Sequence, residues 1–96
     1  MPSQSLTIES NVANNELQSF VQNSLETLME KAPSDSFVRV SIKSALNGTE
    51  VVVNLFSSAL THFVTDVAIS PFMAVEKALE QMRRKLRIWQ VTKFDK

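Results

Sequence analysis

The sequence predicts an α+β fold, a two-layer sandwich in which a four-stranded sheet carries two helices on one face. Three observations lead there. Two segments place apolar residues at helical spacing of three and four. Four shorter segments alternate apolar and polar residues. The order of these segments along the chain is β-α-β-β-β-α. With 96 residues the chain has the length of one domain, with a core over about residues 4–90 and a tail over 91–96. Its 44% hydrophobic content is ordinary for a globular protein and too high for a disordered one.

The first strand is Gln4 to Glu9, with Leu6 and Ile8 on one face. Asn11 to Asn15 forms a polar break suited to capping a helix. From Glu16 onward, Leu17, Phe20, Val21, Leu25, Leu28 and Met29 fall on one helical stripe. Pro33 ends that helix, because its ring cannot continue it and it lacks an N–H to donate. The segment Phe37 to Lys43 alternates, with Val38, Val40 and Ile42 on one side and Arg39, Ser41 and Lys43 on the other. Asn47-Gly48 follows as a hairpin signal, both residues tolerating positive φ. Glu50 to Phe56 is the returning strand, and Ser57-Ser58-Ala59 a second turn. Leu60 to Ile69 is a further β-rich run in which Phe63, Val67 and Ile69 are in register. Ser70-Pro71 opens the second helix with a hydroxyl cap and a proline at the first helical position. Its stripe is Phe72, Val75, Leu79, Met82, Leu86 and Trp89, and the spacing predicts an end near Trp89. Phe72, Met73 and Trp89 are expected to pack in or at the edge of the core.

The chain has no cysteine, so disulfides, thiolate metal sites and a cysteine nucleophile are excluded. There is one glycine, which cannot make a phosphate-cradling loop. The only histidine, His62, lies in a strand, and no carboxylate pair or nucleophile elbow accompanies it. The sequence therefore reads as a non-enzyme without cofactor, metal or small-molecule substrate. It shows no secretion signal and no membrane-spanning apolar run, which is the pattern of a cytoplasmic protein.

Net charge is zero but unevenly distributed. Residues 71–96 hold seven cations against three anions, a surplus of four, and residues 1–70 hold the matching deficit. Arg83, Arg84, Lys85 and Arg87 lie within five residues, and Lys77 precedes them by about two turns. On the helical period Lys77, Arg84 and Arg87 are expected to share a flank, with Arg83 beside them. Arginine forks suit phosphate oxygens, and neutralised phosphates release counterions. A polyanion, RNA in particular, is the partner such a helix suits. A solvated helix face, partly paired through Glu76 and Glu80, is the alternative.

Taken together, these segments resemble the ribosome hibernation-promoting factor family, also called protein Y, RaiA or sigma-54 modulation proteins. The resemblance spans roughly Leu6 to Gln90. It rests on Leu6-Thr7-Ile8 followed by Glu16-Leu17-Gln18-Ser19-Phe20-Val21, on the hairpin around Asn47-Gly48, and on Ser70-Pro71-Phe72-Met73-Ala74-Val75-Glu76-Lys77-Ala78-Leu79 running into Met82-Arg83-Arg84-Lys85-Leu86. It implies a short-form factor that binds rRNA of the small ribosomal subunit through Lys77, Arg83, Arg84, Lys85 and Arg87 and blocks translation by occlusion. It also implies parallel pairing of the first two strands. The first helix departs from the family pattern, carrying Glu16, Glu26 and Glu30 and a single cation, Lys31, at its end. That departure keeps a second reading open: a divergent member acting as a protein-interaction or homodimerising module.

Overall fold

A computed structural model describes residues 5–11, 15–58 and 60–94, without the side chains of Ser5, Lys93 and Phe94. The elements follow the order β1 (Ser5–Ser10), α1 (Asn15–Met29), β2 (Phe37–Ala45), β3 (Gly48–Phe56), β4 (Thr61–Ala68) and α2 (Pro71–Phe94). The strands form one sheet in the order β1-β2-β3-β4. β1 runs parallel to β2, and β2, β3 and β4 are successively antiparallel. The expected α+β sandwich is therefore the observed one.

Alternation along the strands sorts the residues to two faces. Val38, Val40 and Ile42 of β2, Val51, Val53 and Leu55 of β3 and Val64 of β4 are buried. They meet Leu17, Val21, Leu25 and Leu28 of α1 and Val75, Leu79, Met82 and Leu86 of α2, all at most 1% exposed. Ala74 and Ala78, fully buried, let α2 lie close to the sheet. Both helices thus cover the same face. Burying a leucine or valine side chain stabilises a fold by about 1.5–3 kcal/mol, so this layer is what holds the two helices in place. Phe20 packs on Phe72 at 5.4 Å between ring centroids, joining the early turns of α1 and α2. The two helices run in the same direction, since the nitrogen of the Gln90 side chain also reaches the Lys31 carbonyl near their other ends.

Three local expectations are corrected. The hairpin turn consists of Leu46 and Asn47, and Gly48 already pairs with Ala45. Gly48 has φ 153°, and no non-glycine residue among those described has positive φ. The turn thus falls one residue earlier than the Asn-Gly signal suggests, because the register that buries both valine rows sets it. Met73 is 52% exposed: it follows Phe72 by one residue, and about 100° of helical rotation carries it away from the sheet. Finally, α2 continues through Phe94, past the end expected near Trp89. No proline or glycine follows Trp89 to stop it. The end of the tail, Asp95 and Lys96, lies outside the described residues, as do Gln4 of the first strand, residues 12–14 of the polar break and Ala59 of the second turn. Trp89 is half-buried against the core, and Phe72 likewise.

Candidate nucleic-acid interface

Lys77, Arg83, Arg84, Lys85 and Arg87 of α2 are all at the surface but do not form one patch. Arg83 and Arg87 are one turn apart and lie on the flank of α2 that faces α1. With Lys31 and Gln90 they line a groove of about 310 Å³. Lys31 follows α1 by two residues, and its carbonyl oxygen accepts a hydrogen bond from Gln90 Nε2 at 3.0 Å. That bond brings the end of α1 against the penultimate turn of α2. Three cations consequently share one groove with no carboxylate among its lining residues. Among the described residues, neither Arg83 nor Arg87 forms an ion pair. The negative end of the α1 dipole meets the same cations and reinforces their placement.

Lys77 and Arg84 lie elsewhere. They line a second groove, of about 320 Å³, with Glu80, Gln81 and Asp66 of β4. Arg84 is paired with Glu80 one turn back at 3.0 Å, with both side chains more than half exposed. Gln81 Nε2 donates to Asp66 at 2.7 Å, fastening α2 to the edge strand. Two carboxylates thus offset two cations on this flank. The expected common flank of Lys77, Arg84 and Arg87 is not observed. Ten residues from Lys77, Arg87 has rotated about 80° away at 100° per residue, enough to put it over α1 instead.

Lys85 stands apart from both groups. It is half-buried on the β4 side, close enough to His62 to disfavour the imidazolium. Partial burial, more than Lys85, holds the His62 pKa below its ordinary value. His62 is a half-buried edge residue whose side chain faces the helix layer beside Val64.

Sequence reasoning placed Lys31 only as the end of an acidic helix. The groove recruits it through tertiary packing, which local spacing does not encode. The outward side of α1 carries Glu16, Gln18, Gln22, Asn23, Glu26 and Thr27, all of them exposed. Positive potential is therefore concentrated at one end of the helix layer, where α1 ends and the last turns of α2 pass it.

No protein-family model matches the chain, and no curated protein sequence matches it. Solved structures do. The N-terminal domain of protein Y from Thermus thermophilus superposes with a TM-score of 0.72 over 93% of this chain and 99% of that one, at 11% sequence identity. A ribosomal subunit interface protein from Coxiella burnetii gives a TM-score of 0.73 over 92% of this chain and 98% of its own, also at 11% identity. The chain has the fold of these proteins along nearly its whole length.

Proposed function

We propose that this chain is a short-form factor of the hibernation-promoting family, binding rRNA in the small ribosomal subunit and inhibiting translation by occlusion. The observation that carries the reading is the carboxylate-free groove of Lys31, Arg83 and Arg87, set on the fold of protein Y and of a subunit interface protein. Guanidinium forks held on adjacent turns can each take a phosphate, while Lys31 adds a point charge across the groove. Lys77, Arg84 and Lys85 extend the contact along α2. The exposed Glu80 beside Arg84 lowers what that arginine contributes. The role is one of binding, without catalysis or cofactor, and belongs in the cytoplasm with the ribosome.

The test is co-sedimentation with purified small subunits over a salt series, alongside cell-free translation. Association should weaken as salt rises, and Arg83→Glu with Arg87→Glu should abolish both pelleting and inhibition. Pelleting that ignores salt, or that survives the double reversal, would overturn the reading.

A second reading, a protein-interaction or homodimerising module, is favoured by the neutral-to-acidic outward face of α1 and by exposed phenylalanines on the sheet. Absence of pelleting at low salt would select it.

A further inference from the structure

The sheet face turned away from the helices has a symmetry of its own. Its residues on β2 and β3 pair in register as Phe37 with Phe56, Arg39 with Asn54, Ser41 with Val52 and Lys43 with Glu50. Phe37 and Phe56 are 38% and 43% exposed, with ring centroids 6.1 Å apart and planes 21° from parallel. Phe63, 58% exposed, extends this apolar corner onto β4. Among the described residues, nothing covers these rings.

The charges on this face balance. Glu9 takes Arg39 in a two-pronged ion pair, at 2.9 and 3.0 Å from one guanidinium nitrogen, and Lys43 stands opposite Glu50. No surplus cation remains for a polyanion, so the face does not suit nucleic acid despite its aromatic rings.

It does suit its own copy. Consider a two-fold axis running along the strands, in the interface, midway between β2 and β3. That operation sets each β2 residue over the copy of the β3 residue with which it pairs. Phe37 then lies over Phe56 of the second copy, and Lys43 over its Glu50, with each contact repeated once by symmetry, as an isologous interface requires. Sheets packed face to face stand about 10 Å apart with nearly aligned strands, a spacing that phenylalanine and lysine side chains fill. We infer that the open sheet face is a homodimer interface, two copies of this chain packing β2-β3 against β3-β2 with Lys43 and Glu50 meeting across the two-fold. This inference does not rest on ribosome binding: the basic groove lies on the opposite layer and stays free in such a dimer.

The face is small. Four strands about 4.8 Å apart, at about 3.4 Å per residue over their length, offer on the order of 500 Å² per copy. That is below the roughly 800 Å² per partner of a stable interface, so the dimer is a weak one.

Sedimentation velocity from about 1 µM to about 1 mM, the range weak interfaces occupy, should show monomer passing into dimer. Lys43→Glu sets two carboxylates against two across the axis, and Glu50→Lys does the same with ammonium groups. Each variant alone should stay monomeric at concentrations where the unaltered chain is half dimer. An equal mixture of the two should dimerise again, because every pair across the axis is then opposite in sign. That rescue cannot come from the contact between residues 43 and 50 inside one chain, which stays like-charged in both variants. Circular dichroism melts confirm that each variant is folded. A mixture that remains monomeric, an unaltered chain that remains monomeric throughout, or a Phe56→Ser variant that dimerises normally would each overturn the inference. So would a monomeric chain that binds a single-stranded RNA oligonucleotide and releases it on Phe56→Ser, which would make the face a base-stacking surface.

Discussion

Gln90 Nε2 donates to the carbonyl oxygen of Lys31 at 3.0 Å, across 59 residues of sequence. This bond ties the segment that carries Lys31 to the flank of α2 that lines the positive groove. The C-terminal end of α1 has carbonyls with no partner inside the helix, and a side-chain amide from α2 satisfies one just beyond it. Gln90→Ala should cost about 0.5–1.5 kcal/mol in denaturant unfolding, the net worth of one hydrogen bond. It should also weaken RNA association and flatten the salt slope of log K by up to about 0.7–0.9, the share of the one phosphate that a displaced Lys31 no longer meets. An unchanged slope would mean that Gln90 does not act by holding Lys31 in place.

The two flanks of α2 should differ in binding. Arg83 and Arg87 have no carboxylate in their groove, whereas Arg84 is shared with Glu80. Removing one bound phosphate from the interface reduces the slope of log K against log salt by about 0.7–0.9. Arg83→Ala with Arg87→Ala should therefore flatten that slope by about 1.4–1.8 units if each arginine neutralises one phosphate. Arg84→Ala should flatten it by less than either single change. Fluorescence anisotropy with a small-subunit rRNA fragment, repeated at several salt concentrations, reads both.

Most of the fold was legible because one signal, alternation against a stripe, decides which face each residue takes. Val38, Val40 and Ile42 fell on the buried side as their spacing requires, and Ser70-Pro71 marked the start of α2 to the residue. What stayed hidden depends on tertiary geometry. Whether Arg87 belongs with Lys77 or with Arg83 turns on where α1 passes, and Lys31 joins the basic group only because two helices end side by side. Likewise the hairpin turn obeys the register of the sheet ahead of the Asn47-Gly48 dipeptide. The open-face role of Phe37 and Phe56 needed the cross-strand register, since alternation alone leaves each as an isolated exposed ring.

Gly48 should not tolerate a side chain. Its φ of 153° disfavours L residues, and a Cβ built on it would collide with the carbonyl oxygen of Ala68, a backbone atom that cannot swing away. Strain of this kind costs about 1–3 kcal/mol, and the shift of β4 needed to relieve the clash adds to it. Gly48→Ala should lower the thermal midpoint by several degrees; one kcal/mol moves a domain of this size by about 4–8 °C. An unchanged midpoint would show that the β3–β4 end has slack that the close approach of Ala68 does not suggest.

His62 should make the fold sensitive to mild acid. Partial burial, and then the nearby Lys85, hold its pKa below the ordinary 6.5. The neutral imidazole is therefore the form the fold prefers, and the unfolded chain takes up a proton at higher pH than the folded one. It follows that stability from this group is fully present above about 6.5 and is lost as pH falls through the lower folded value. Protonation sets an imidazolium against the Lys85 ammonium at the junction of α2 with β4. His62→Gln should remove this part of the pH slope in urea unfolding between pH 7 and 5 while leaving stability at pH 8 little changed. Lys85→Gln should raise the His62 pKa, followed by the imidazole proton shifts in NMR, and should leave it still below 6.5, because burial is the larger of the two causes. A histidine that titrates at or above its ordinary value in the folded chain would sink the argument.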